Sequence, residues 1–309
     1  MTVPNPPLTY SGNPLDRRAL LRVDADQLRD VLSGDTARIV PVWNQKHLFD
    51  ATSQIQFLSF TAMTARWNID ALSPVFLGYS DGVPWFALGL PTSDVPPDLG
   101  LDGEYRTLNE MVTLLPSTDA SILAYARAMI IWHENHQYCG RCGTATTATE
   151  GGHVRVCINT TCTHRSFPRT DPAVITLIED PTGTRALLGR QARWPSGMYS
   201  VIAGFVEPGE SLEETVIRET FEETGIRVGD VQYMASQPWP FPSSIMLGFR
   251  ARAVTTEVSS GDDELEDCRW FTREDLRSFA QPSSAYENLR LPNTFSIARY
   301  LLNTWLDEA

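Results

Sequence analysis

Glu219, Glu222 and Glu223 stand at i, i+3 and i+4 within Arg218-Glu-Thr-Phe-Glu-Glu-Thr-Gly225, so a helix over this stretch projects all three from one side. On a solvated face such crowding costs a few tenths of a kcal/mol per like-charged pair. Hard divalent cations bound through carboxylate oxygens turn that cost into affinity, and Arg218 can steady Glu222 one turn on. A plain acidic amphipathic helix is the bland reading of the same residues. A second constellation is Cys139-Gly-Arg-Cys142 followed by Cys157-Ile-Asn-Thr-Thr-Cys162. Two knuckles brought together by a hairpin supply four thiolates in a tetrahedron, the arrangement Zn²⁺ takes in structural sites. With no open position, such an ion holds a fold and does no chemistry. The second knuckle is wide, so His164 or His153 is an alternative to one thiolate, and four ordinary thiols are the bland reading. Cys268 stands apart and reads as a small buried strand residue.

These groups need elements to position them. Pro208 and Gly209 turn the chain, Ser211 with Glu214 forms a capping box that starts the acidic helix, and Gly225 stops it. Strands are expected at Ala173–Ile178, Ala186–Gly189, Ser244–Ala253 and Cys268–Phe271, with a closing helix at Phe295–Leu306. Upstream, the apolar runs Ala37–Val42, Ile55–Phe60, Val75–Tyr79 and Pro84–Leu90 read as short strands, and Pro91–Gly103 as a surface loop. A helix from Asp119, its expected cap, to Gln137 reads as a connector. The sequence shows no internal repeat. The expected division is 1–118, a mixed α/β domain of unassigned chemistry; 119–137, the connecting helix; 138–166, the cysteine module; and 167–309, the domain that carries the acidic helix.

Composition bounds the function. The 309 residues hold 25 Lys+Arg against 38 Asp+Glu, a net charge of −13, with a pI near 4.8. General attraction to phosphate backbones or anionic lipid is excluded, so partners are small or held by a local site. No uncharged apolar run is long enough to span a membrane. The first residues do not read as a secretory signal, and few cysteines without one point to a reducing cytoplasm.

The stretch Gly204-Phe-Val-Glu-Pro-Gly-Glu210, seven further residues, then Arg218 to Ile226 resembles the Nudix box, G-x5-E-x7-R-E-U-x-E-E-x-G-U, in every position but one. Thr220 stands where a bulky aliphatic residue is usual. Ser236-Gln-Pro-Trp-Pro-Phe-Pro-Ser-Ser244 resembles the array that marks the NADH pyrophosphatase branch of Nudix hydrolases. Taken alone, it is a stiff strip able to line a pocket for a flat ring, or equally a rigid loop or subunit contact. That branch also carries a four-cysteine zinc ribbon before its catalytic domain.

The resemblance implies a C-terminal Nudix α/β/α sandwich behind an α/β domain and a zinc ribbon. It implies hydrolysis of the pyrophosphate of NADH, and less well NAD⁺, to AMP and nicotinamide mononucleotide, with two or three Mg²⁺ or Mn²⁺. Glu219, Glu223 and the distant Glu264 match the metal-ligating carboxylates, with Glu222 as ligand or base and the Ala203 carbonyl as a backbone ligand. Phe205 and Phe167 fall where the branch stacks its substrate's base, although either ring could be ordinary core. Gln237, Trp239 and Ser244 of the array match pocket residues, in a homodimer. Asp262 and Asp263 beside Glu264 read as a solvated turn. Two rivals remain: removal of an NAD cap from RNA 5′ ends, for which Arg165, Arg169, Arg190 and Arg193 are a candidate basic lip, and a catalytically dead dinucleotide sensor.

Overall fold

The computed structural model describes residues 8–67, 72–259, 264–282 and 284–308, so Asp262 and Asp263 lie outside the described residues. The chain forms two compact units, one of residues Tyr10–Thr170 with Pro240–Ser243, the other of Met1–Thr9, Asp171–Trp239 and Ser244–Ala309. No described helix is long and apolar enough to cross a membrane.

The first unit holds strands β1 (Arg38–Trp43), β2 (Lys46–Phe49), β3 (Val75–Ser80), β4 (Val83–Gly89) and β5 (Glu104–Thr107) in the order β3-β4-β1-β2-β5. Only β1 and β4 run parallel; the other neighbours are antiparallel. The apolar run Ile55–Phe60 is not a strand. It makes isolated bridges from Ile55 to Phe49 and from Leu58 to Ile39, because Ser59 caps the amide of Ala62 and starts a helix at Phe60. The long helix covers Ser117–Asn135 and follows Pro116, so Asp119 lies in its first turn and is not its cap. Expected as a connector, the helix is packed into this unit: Ile122, Leu123, Ala126, Met129 and Ile130 are buried. A Cβ on Gly89 of β4 would stand 3.1 Å from the Ile130 side chain. Next comes the three-stranded cysteine module, β6 (Thr146–Thr149), β7 (Val154–Cys157) and β8 (Arg165–Ser166), all antiparallel.

The second unit contains β9 (Asp171–Glu179), β10 (Arg185–Arg190), β11 (Ile202–Phe205), β12 (Val228–Trp239), β13 (Ser244–Ala253) and β14 (Asp267–Thr272). Their order is β12-β13-β9-β10-β14, with β11 also pairing β9. Strand β9 is apolar on both faces because both are covered. Val174 and Ile178 join Val216 of the acidic helix and Phe249 in one core. Ile175 and Leu177, on the alternate pleat, join Leu301, Leu302 and Trp305 of the closing helix, Ile297–Asp307, in the other. That is a three-layer α/β/α sandwich.

The two main sheets share one topology. In each, a hairpin lies beside a parallel central pair, β3-β4 on β1 and β12-β13 on β9, and a second hairpin strand pairs with a later one, β2 with β5 and β10 with β14. The sequence shows no repeat, yet the fold contains one. The copies differ between their second and third shared strands. Residues 50–74 of the first unit contain no glutamate, whereas the second unit places β11 and the acidic helix in the corresponding span.

Candidate active site

The acidic helix runs Leu212–Thr224. Ser211 Oγ accepts from the Glu214 amide at 3.2 Å while the Glu214 carboxylate accepts from the Ser211 amide at 2.7 Å, the capping box expected. Gly225 ends the helix in the left-handed region, with φ of 70°, where a residue without Cβ is favoured. Thr215, Val216, Thr220, Glu223 and Thr224 form the buried face. The three glutamates therefore fan across the edge of the helix. Glu223 is 3% exposed, Glu219 is half-buried and Glu222 points to solvent.

Arg218 organises them. Its Nε and a terminal nitrogen bind both oxygens of Glu210, at 2.6 and 2.8 Å. Its other terminal nitrogen is 3.0 Å from both Glu219 and Glu222, and the Phe205 carbonyl accepts at 2.9 Å from the terminal nitrogen that binds Glu210. These contacts hold the Glu210 carboxyl at about 2. For Glu219 the balance is opposite: burial raises its pKa, Arg218 opposes the rise, and the charges of Glu222 and Glu264 add to it. Glu264 thus bears electrostatically on Glu219, although its place in the sequence is far from the box. Its Oε1 accepts from Gln191 Nε2 at 2.9 Å.

Gly204 explains why the motif demands glycine. A Cβ there would sit 1.9 Å from Cδ of Glu219 and 2.1 and 2.3 Å from its oxygens, so the missing side chain is the space in which the carboxylate lies. Ala203, the expected backbone ligand, immediately precedes it on β11, and Phe205 follows with its ring 60% exposed. A half-buried carboxylate over a strand glycine, with the like charges of Glu222 and Glu264 bearing on it, suits a hard divalent cation, which relieves the repulsion and uses the oxygen donors.

The proline–aromatic array is divided. Ser236–Trp239 end β12, and Pro240–Ser243 belong to the other unit, where Arg127 lies 4.8 Å over the Phe241 ring. Gln237, expected at the pocket, is fully buried. Its amide nitrogen donates to the Thr9 and Phe295 carbonyls at 2.9 and 2.8 Å, and its oxygen accepts from the Ile297 amide at 2.7 Å. With every amide proton and its oxygen engaged and no surface, Gln237 fastens the start of the closing helix; its assignment to the pocket is corrected. Trp239 is partly exposed and lies nearly parallel to Phe295, 6.3 Å between centroids. Ser244, partly exposed, opens β13 opposite Asp171.

In the first unit, Phe167 is 58% exposed with Arg165 5.7 Å from its ring. Neither it nor Phe205 is a core residue. Of the arginines considered as a basic lip, Arg165 is paired with Glu150 and Arg190 with Glu266 at 2.5 Å, while Arg193 donates to Gln191. Among the described residues, Cys139, Cys142, Cys157 and Cys162 form the metal-capable cluster, their sulfurs all within 4.8 Å of one another. His153 donates to or accepts from other partners, its Nε2 lying 2.8 Å from the Phe76 carbonyl. Four sulfurs this close cannot all ionise unless a cation sits among them. Hydrogen bonds from Thr144 draw Cys142 down to about 6, whereas burial pushes Cys157 up to about 12. Cys268, in β14, is pushed up to about 12 by burial.

Three features escaped sequence reasoning. Glu210 is the main partner of Arg218, Gln191 holds Glu264, and Gly204 makes room for Glu219. The fixed spacing of Gly204, Glu210 and Arg218 carried the signal for the first and third; nothing in the sequence marked Gln191.

Family models match in series along the chain. Residues 36–132 match an NADH pyrophosphatase-like rudimentary NUDIX domain, 134–167 an NADH pyrophosphatase zinc ribbon domain and 169–290 a NUDIX domain. The cysteine module is thus a structural zinc site, and the unassigned N-terminal domain is a Nudix fold without the acidic helix. A human protein named NAD-capped RNA hydrolase NUDT12 is 41% identical over 72% of this chain and 50% of its own length. The chain therefore spans about half the length of that relative. The NAD-capped RNA hydrolase NudC of Mycobacterium bovis is 40% identical over 75% of this chain and 74% of its own. Nudix hydrolase 19, chloroplastic, of Arabidopsis thaliana is 34% identical over 90% of this chain and 73% of its own. The order of the three matched domains, together with the mycobacterial and plant relatives matched over about three quarters of their own length, places the chain in the NADH pyrophosphatase branch of the Nudix hydrolases.

Proposed function

We propose that this protein hydrolyses the pyrophosphate bond of NADH, and less well NAD⁺, to AMP and nicotinamide mononucleotide. The observation that carries this reading is the Glu219 carboxylate lying in the space over Gly204 under the charges of Glu222 and Glu264, with the exposed Phe205 ring one residue further along the same strand. Glu219, Glu223, Glu264 and the Ala203 carbonyl would hold Mg²⁺ or Mn²⁺, with Glu222 beside them. Bound there, the ions supply neutralisation of the diphosphate and a more acidic water. The chain's own part is to present the carboxylates, to fix them through Arg218, and to take the proton of the attacking water on a glutamate. Phe205 offers an exposed face for stacking an aromatic base, and Trp239 and Ser244 are assigned to the substrate pocket. The working protein is assigned as a cytoplasmic homodimer.

A second reading, removal of an NAD cap from RNA 5′ ends by the same site, is favoured by the names of the human and mycobacterial relatives, both NAD-capped RNA hydrolases. The ion pairs at Arg165 and Arg190 speak against a strong basic lip, since paired arginines offer less to an RNA backbone.

The test is product separation after incubation with NADH, NAD⁺, ADP-ribose, a dinucleoside polyphosphate and NAD-capped RNA, each with Mg²⁺, Mn²⁺ or chelator. Metal-dependent AMP with NADH preferred supports the main reading. Preferred turnover of capped RNA supports the second, and ADP-ribose as best substrate refutes both. Dinucleotide binding without any turnover would return the sensor to the front.

A further inference from the structure

We propose that Gln191 is a positioning residue for Glu264, holding one of its oxygens so that the other faces the box glutamates. The proposal rests on the metal-dependent reading above. Gln191 is the first residue after β10 and is 8% exposed. Its Nε2 donates to Glu264 Oε1 at 2.9 Å, and its Oε1 accepts from Arg193 Nε at 2.7 Å.

Chemistry fixes which way the amide points. A guanidinium only donates and an ionised carboxylate only accepts, so the oxygen must face Arg193 and the nitrogen Glu264. Backbone contacts support the same alignment. The Glu266 amide donates to the Arg190 carbonyl at 2.8 Å, and a Cβ on Gly189 would stand 2.9 Å from the Leu265 side chain. The stretch bearing Glu264 is thus laid against the end of β10. A glutamate on the surface otherwise spreads over many rotamers. Restraint by a neutral amide limits that spread without adding a positive charge beside Glu264, as a lysine or arginine at position 191 would. Partners that orient metal-binding side chains in this way typically account for 10–100-fold in metal affinity.

The experiment measures Mn²⁺ binding by electron paramagnetic resonance, without nucleotide, on the full chain and the variants Gln191→Leu, Arg193→Leu and Glu264→Gln. It is joined to Tm and to kcat and KM for NADH at saturating Mn²⁺. Gln191→Leu is expected to weaken Mn²⁺ binding about 10–100-fold, with Tm little changed, KM for NADH unchanged and kcat largely recovered at saturating Mn²⁺. Arg193→Leu, which keeps the donor but frees the amide, is expected to give a smaller loss in the same direction; it serves where Gln191→Leu fails to fold. Wild-type Mn²⁺ affinity in both variants, while Glu264→Gln binds weakly, would overturn this proposal and leave the carboxylate assignment standing. If Glu264→Gln also binds Mn²⁺ like the wild type, Glu264 is no ligand and both fall.

Discussion

Replacing Gly204 by alanine tests whether the glutamate geometry is the site. The new Cβ would stand 1.9 Å from Cδ of Glu219. Ordinary contact between carbons begins at about 3.5 Å, so the carboxyl must retreat by about 1.5 Å or the strand must yield. Gly204 does not occupy the left-handed region, so alanine adds no backbone strain, and the damage should fall on Glu219 and its 3.0 Å contact with Arg218. A displacement of about 1 Å in a reacting constellation typically costs about 100-fold in rate. The expected outcome is a loss of about 100-fold or more in kcat/KM for NADH with Mn²⁺, a weaker Mn²⁺ complex, and a Tm within a few degrees of the parent. A Gly204→Ala protein with wild-type kcat/KM and Mn²⁺ affinity would refute the placement of Glu219 at the reacting centre.

Glu223→Gln removes a buried charge and should lower kcat about 100-fold or more while the protein still folds; unchanged turnover in the product assay would remove Glu223 from the site. Cys142→Ser should release zinc, read by metal analysis, and lower Tm before it alters chemistry, and a zinc-free variant as stable as the parent would mean the ion is not structural. Thr220 Oγ1 is buried with no hydrogen-bond partner among the described residues, so Thr220→Val should stabilise by about 1 kcal/mol, seen as a Tm rise of a few degrees at unchanged kcat; a lower Tm would show that the hydroxyl is satisfied. Burial disfavours an ionised Glu179, but Arg250, bound through both carboxylate oxygens at 2.9 and 2.7 Å, prevails and holds its carboxyl below the usual range. Its stabilisation is therefore complete above the unfolded pKa and lost as pH falls through the lower folded one. Glu179→Gln should cost about 2–3 kcal/mol at neutral pH, below the usual loss for a broken buried pair because Arg250 keeps Glu308, and denaturant titrations should show the gap closing below about pH 4.

Local signals in the sequence survived intact where one short stretch determines its own conformation. Ser211, Glu214 and Gly225 cap the acidic helix as read, and Ser244–Ala253 is a strand with those bounds. Local reading failed where a distant partner decides. Ile55–Phe60 has a strand's composition, but no neighbour receives it as a full strand, and the Ser59 cap takes the chain into a helix. Gln237 carries the polarity of a pocket residue, yet its amide is consumed by Thr9, Phe295 and Ile297, partners up to 228 positions away. The contact of Gln191 with Glu264 spans 73 positions, beyond the reach of any periodicity. The four thiolates were legible because chemistry fixes their residue type, and the neutral side chains that hold charged ones were not.

The repeated topology separates what supports the chemistry from what performs it. Both sheets carry the same five-strand order with one parallel pair, and each is covered by a late helix, Ser117–Asn135 or Ile297–Asp307. A sheet of this kind is specified by alternation and hairpin register, which many sequences satisfy, so the two copies can share a fold without shared residues. The carboxylates of the acidic helix have no such freedom. Glu219 needs the space over Gly204, Glu210 must reach Arg218 eight residues on, and Glu223 must sit on the buried face while Glu222 does not. All of these lie in the span after β10, and the corresponding residues 50–74 of the first unit hold no glutamate. A span without a glutamate cannot present such a set, so the first copy keeps the scaffold and lacks the acidic helix. The fold that the two units share therefore assigns function to neither by itself; β11 and the acidic helix stand in the second.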